Sequence, residues 1–74
     1  MRTVLLGAGH IGQTIARLLA ASGDYAVTVV DRDPAALAPL AAEGLRTVVA
    51  DTADAGAVLA ALRGHDAVVN ALPY

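Results

Sequence analysis

Gly7-Ala8-Gly9-His10-Ile11-Gly12 decides how this chain folds, because of what stands on either side of it. Before it runs Thr3-Val4-Leu5-Leu6, a short unbroken apolar stretch ending in glycine, which is the pattern of a strand buried on both faces of a parallel sheet. After it, apolar residues recur at Ile11, Ile15, Leu18 and Leu19, with Ser22 completing the face, while Gln13, Thr14 and Arg17 fall between them. That spacing predicts an amphipathic helix, closed by Gly23. Between a strand and a helix, the three glycines of G-x-G-x-x-G have separate tasks. Gly7 lets the chain turn sharply, Gly9 removes a side chain where a ligand must approach the backbone, and Gly12 lets the helix lie close against the sheet.

The same unit repeats outward from this point. Ala26 to Val30 is apolar and β-branched and leads into Asp31, so it reads as a second buried strand. Asp33 then caps a helix with Pro34 at its first position and Gly44 just past its end, and Pro39 is expected to kink that helix or delay its regular part. Leu45 to Ala50 repeats the buried-strand pattern, and Asp51-Thr52-Ala53-Asp54 offers capping side chains to a third helix marked by Val58, Leu59 and Leu62 and ended by Gly64. Asp66 to Asn70 is the fourth strand.

Strands and helices in strict alternation with short connections imply parallel strands joined by right-handed crossovers. The fold class expected is α/β, a three-layer Rossmann-type sheet with strand order 3-2-1-4. Residues 1–74 then form the N-terminal part of one such domain, an incomplete half of a doubly wound sheet, with no second domain visible. Domain-size arguments lead us to expect about 200 further residues in the reading frame. The fourth strand would otherwise keep an unpaired edge, from which poor solubility or self-association of residues 1–74 in isolation is expected.

Composition narrows the function. The chain is 57% hydrophobic, with 18 Ala, 10 Leu and 9 Val, and its net charge is −2. No basic face exists to follow a nucleic-acid backbone, so nucleic acid is not an expected partner. All five basic residues are arginine, which removes lysine-based Schiff-base chemistry. Absence of cysteine excludes disulfides, thiolate nucleophiles and sulfur metal sites and suits a reducing compartment, so a cytoplasmic location is expected. No apolar run reaches the length of about 20 residues that spans a bilayer, and glycines interrupt the opening Met1–Leu6 run too early for a signal peptide. No pair of His or carboxylate residues has the spacing of a metal site.

How does an acidic chain bind an anion? A helix start supplies free N–H groups and a partial positive charge, so the backbone at Gly9, His10, Ile11 and Gly12 is expected to hold a diphosphate without lysine or arginine. Asp31 ends the second strand 19 positions after Gly12, where a carboxylate accepts hydrogen bonds from the adenosine ribose. Those features make a dinucleotide the expected ligand. A carboxylate there favours NAD over NADP, although Arg32 beside it could pair with a 2′-phosphate or lie over the adenine, or simply face solvent. Asp51 and Thr52 end the third strand on the same edge and suit adenine contact as well as helix capping. The ring of His10 is expected to point to solvent, and His65, in the Gly64-His65-Asp66 turn, is expected to be structural.

Taken together, Val4-Leu5-Leu6-Gly7-Ala8-Gly9, Asp31-Arg32-Asp33, Gly64-His65-Asp66-Ala67-Val68-Val69 and Asn70-Ala71-Leu72-Pro73 resemble the cofactor-binding domain of the saccharopine dehydrogenase-like family along the whole chain. The resemblance implies that Asn70, Ala71 and Leu72, at the point where the sheet's strand order reverses, run along the ribose and pyrophosphate of the cofactor. It also implies a full-length oxidoreductase that moves hydride at a C–N bond of an amino-acid-type substrate, as a homo-oligomer or alone. The family's catalytic residues come later in the polypeptide, so none is carried over to this stretch. The domain is often described as NADP-binding, whereas Asp31 points to NAD. A regulatory NAD-sensing module such as those of potassium transport systems would share the fold and the glycines, but would not be expected to carry Asn70-Ala71-Leu72-Pro73-Tyr74.

Overall fold

Side chains alternate along the central strand, β1 (Arg2–Leu6), so that Leu5 points to one face of the sheet and Val4 and Leu6 to the other. The helices cover these two faces, and the other strands extend the sheet on either side of β1. The computed structural model describes residues 1–72 and continues with α1 (His10–Ser22), β2 (Ala26–Asp31), α2 (Pro34–Ala42), β3 (Arg46–Val49), α3 (Ala55–Leu62) and β4 (Ala67–Asn70). The four strands are parallel in the order β3-β2-β1-β4, which is the expected 3-2-1-4. Pairing sets Leu6 beside Val30 on one side and Asn70 on the other, and Asp31 beside Val49. All four strands therefore end at one edge, and the loops that follow them share it.

Leu5, Ala16, Val27, Val29, Leu37 and Leu40 form the core beneath α1 and α2. Val4, Leu6 and Val30 form a smaller core beneath α3, joined by the half-buried Val58, Ala61 and Leu62. This gives three layers, helices on both faces of a parallel sheet. Capping follows the reading of the sequence: the Asp33 carboxylate accepts from the Ala35 N–H at 2.9 Å, and Asp54 accepts from Gly56 and Ala57. Helix α1 and the end of α2 are also joined across the surface by Arg17 and Glu43, whose Nη2–Oε2 distance is 2.7 Å. That hydrogen-bonded pair raises the Arg17 pKa and lowers that of Glu43.

Four expectations need correction. Helix α1 does not bury the stripe Ile11, Leu18 and Ser22: Ile11 is 72% exposed and Leu18 67%. Its packed face is Gly12, Ile15, Ala16 and Leu19, rotated so that the smallest residues meet the sheet and the helix comes close. Pro39 does not delay α2, which runs without interruption from Pro34 to Ala42. Only the carbonyl one turn earlier loses a donor, and on a nine-residue surface helix water can supply it. Strand β3 is shorter than Leu45–Ala50 and is not buried on both faces, since Val48 and Val49 are exposed, and β4 begins at Ala67 with Val68 half exposed. Both are outer strands of the described sheet, so each lacks a neighbour on one side.

Unpaired edges at β3 and β4, with Val48, Val49, Leu59 and Val68 exposed nearby, should make residues 1–74 associate when produced alone. Size-exclusion chromatography with light scattering should give a mass above that of a single chain. A stable, monodisperse monomer would show that these edges need no cover.

Candidate functional site

Three glycines bring the end of β1 and the start of α1 into contact. Gly7 has φ of 102°, a conformation that side chains disfavour, and a Cβ on it would lie 3.0 Å from the Ala71 carbonyl oxygen. A Cβ on Gly12 would overlap the Gly7 carbonyl oxygen, so α1 can start where it does only if residue 12 has no side chain. Gly9 differs from both. Its φ of −70° suits any residue and a Cβ there would meet no protein atom within 4 Å, so nothing in the protein itself requires glycine at this position.

Helix α1 begins at His10 with Gly9 as its N-cap, and no side chain caps it. Gln13 N–H donates to the Gly9 carbonyl at 2.9 Å as the first helical bond. Among the described residues, the N–H groups of Gly9, His10, Ile11 and Gly12 have no acceptor. Such a helix start is a ready anion site. The His10 ring is exposed and makes no hydrogen bond within the described residues, and Ile11 is likewise exposed.

Beside these amides lies a cleft of about 450 Å³. Ala8 and Gly9 after β1, Asp31 and Arg32 at the end of β2, Asp51 and Thr52 after β3 and Leu72 after β4 line it. Residues from all four strand ends thus meet at one place. The Asp31 carboxylate is held from two sides, its Oδ2 accepting from the Ala8 N–H at 2.8 Å and its Oδ1 from the Asp33 N–H at 2.9 Å. A carboxylate has about four acceptor positions, so roughly two stay open. Arg32 is exposed and forms no ion pair among the described residues.

Asp51 and Thr52 lie in the turn after β3 rather than on the strand. Asp51 Oδ1 accepts from the Ala53 N–H at 2.9 Å, so its side chain shapes the turn, while Asp54 caps α3. Asn70 behaves similarly, its Oδ1 accepting from the Leu72 N–H at 3.0 Å, and the Ala71 N–H extends the sheet ladder to the Leu6 carbonyl. Ala71 then packs under the Gly7–Gly12 contact. Pro73 and Tyr74 of the segment singled out in the sequence lie outside the described residues. His65 is at the far end of the sheet, where its ring nitrogens sit 3.2 Å from the Arg63 carbonyl and 3.3 Å from the Thr28 hydroxyl, as befits a structural role. A larger depression of about 540 Å³ also lies at that far end, by Arg2, Tyr25 and Arg46, away from every strand's carboxyl end.

One residue was missed by the sequence reading, which treats Gln13 as a polar spacer. Its side-chain amide donates to the Ala8 carbonyl at 2.9 Å and so belongs to the glycine loop.

Residues 3–74 match the family model described as the saccharopine dehydrogenase NADP binding domain. The chain belongs to this family. Apo histidine-tagged saccharopine dehydrogenase (L-Glu forming) from Saccharomyces cerevisiae is similar in structure, with a TM-score of 0.84 and 34% identity over 99% of this chain. The match covers 17% of that protein's chain, so the sequence spans about one sixth of its length. The saccharopine dehydrogenase-like domain is therefore a nicotinamide-dinucleotide-binding module of Rossmann type. Nothing in these comparisons favours a potassium-transport sensor.

The different surroundings of Gly9 and Gly12 let a role in binding be tested apart from folding. Gly9→Ala should leave stability within about 1 kcal/mol of the parent, yet weaken the dinucleotide about tenfold or more by blocking its approach to amides that each bond a charged group. Gly12→Ala should instead destabilise the fold by about 1–3 kcal/mol through overpacking. Thermal melts and cofactor titrations of the two variants give the comparison, and a Gly9→Ala variant with unchanged affinity would place the diphosphate elsewhere.

Proposed function

We propose that the cleft holds the adenosine ribose and diphosphate of NAD, in a polypeptide that moves hydride between the nicotinamide ring and an amino-acid-type substrate at a C–N bond. The observation that carries this is the row of amides from Gly9 to Gly12, unpartnered among the described residues, beside a cleft that Asp31 also lines. Bare amides and an open Gly9 suit a diphosphate, and the free acceptor positions of Asp31 suit the ribose hydroxyls. On this reading Arg32, Asp51 and Thr52, which line the cleft, border the adenine end, and Leu72, also in its lining, runs with Asn70 and Ala71 along the ribose and pyrophosphate. When bound, the cofactor supplies the hydride chemistry, and residues 1–74 contribute orientation. Catalytic groups and the substrate pocket belong to other parts of the polypeptide, of which this stretch forms the N-terminal part of the dinucleotide-binding domain. A chain without cysteine suits a reducing, cytoplasmic setting. No helix among the described residues is long and apolar enough to cross a membrane.

The family's description names NADP, but Asp31 argues for NAD. Two backbone amides pin its carboxylate, which cannot swing aside for a 2′-phosphate and would repel that added negative charge. Arg32 is the group that would lessen this repulsion. Titration of the full natural polypeptide should show tighter binding of NAD than of NADP, and Arg32→Ala should weaken NADP while sparing NAD. Equal affinities for the two cofactors, or a preference for NADP, would contradict the role given to Asp31.

A further inference from the structure

Ala8 is fully buried, and its two polar groups are held from opposite sides. Its N–H goes to the Asp31 carboxylate at 2.8 Å, and its carbonyl accepts from the Gln13 side chain at 2.9 Å. Gln13 also holds the next peptide, because its own N–H donates to the Gly9 carbonyl. The two carbonyls of residues 8 and 9 are thus both drawn toward Gln13. No peptide bond in the described chain is cis, and in a planar trans peptide the N–H points opposite to the C=O. Fixing those carbonyls therefore turns the Gly9 and His10 N–H groups the other way, where they have no partner among the described residues.

We infer that Gln13 is a positioning residue for the cofactor's diphosphate: with Asp31 its side chain clamps Ala8 and sets the direction of the Gly9 amide, while its main-chain N–H fixes that of His10. This rests on the reading of the glycine loop as the diphosphate site. Without the Gln13 amide, the buried Ala8 carbonyl loses its donor and the Ala8–Gly9 peptide is free to rotate. The loop then has to order itself when the ligand binds, and affinity falls by that cost. Adenosine contains no diphosphate and should not sense the change.

Gln13→Met keeps the length and helix preference of the side chain and removes the donor. In the full natural polypeptide it should weaken ADP-ribose by about three- to tenfold, the loss expected for one hydrogen bond, while adenosine binding stays as in the parent. Unchanged ADP-ribose affinity, or an equal loss for both ligands, would overturn the inference, the latter because it would indicate a general disturbance of the fold. The parent protein supplies a measurement that does not depend on the variant folding. Amide chemical shifts of Gly9 and His10 should move strongly on addition of ADP-ribose and little with adenosine, and amides that ignore ADP-ribose would refute the proposed orientation. If the parent bound no ADP-ribose at all, the cofactor reading would fall and the role of Gln13 with it. Parent binding that does not depend on Gln13 would remove only the latter.

Discussion

Helix α1 starts against the end of β1 so closely that the Gly7 carbonyl occupies the space of a Cβ at Gly12. Much follows from that contact. A helix leaving the strand any later would carry its first amides beyond the strand edge and away from β2. Because it leaves at once, the Ala8 N–H lies 2.8 Å from the Asp31 carboxylate, and the amides of Gly9 to Gly12, unbonded among the described residues, lie along the same edge as Asp31, Asp51 and Leu72. Parallel pairing supplies the rest, since strands that end level with one another deliver their loops to a common place.

Charge is distributed in an unexpected way for a module that binds an anion. Of the five arginines, Arg2 and Arg46 open their strands and Arg63 precedes β4, so all three stand at the opposite end of the sheet from the cleft. The cleft itself has one arginine, Arg32, among Asp31, Asp33 and Asp51. Attraction between whole charges would therefore direct a phosphate away from this edge at long range. The proposed site therefore relies on short-range backbone donors and a helix dipole whose effect fades within about a turn. On the proposed reading such a site binds through geometry, and the glycines and the clamp on Ala8 would bear on affinity more than net charge does.

How much of this could be read in the sequence differs from feature to feature. The glycine spacing, the strand-helix alternation and the acid ending β2 were legible because each depends on local chain geometry, and the structure reproduces the fold they imply. Ile11 and Leu18 misled because hydrophobic spacing names two or three possible faces of a helix, and the requirement for close approach selected the one with Gly12 and Ala16. Exposure of Val48, Val49 and Val68 was hidden for a related reason: an apolar strand looks the same whether or not a neighbour covers it. Gln13 and the second task of Asp31 were not legible at all. Both are side-chain bonds to one buried peptide, at Ala8, and no periodicity in residue types marks which side chain will reach it.

The most direct test of recognition by backbone amides is a crystal structure of the full natural polypeptide with its dinucleotide. The diphosphate is expected within hydrogen-bonding distance of the amides from Gly9 to Gly12, with the adenosine ribose on Asp31. A diphosphate seated instead on Arg2, Arg46 or Arg63 at the other end of the sheet would contradict it.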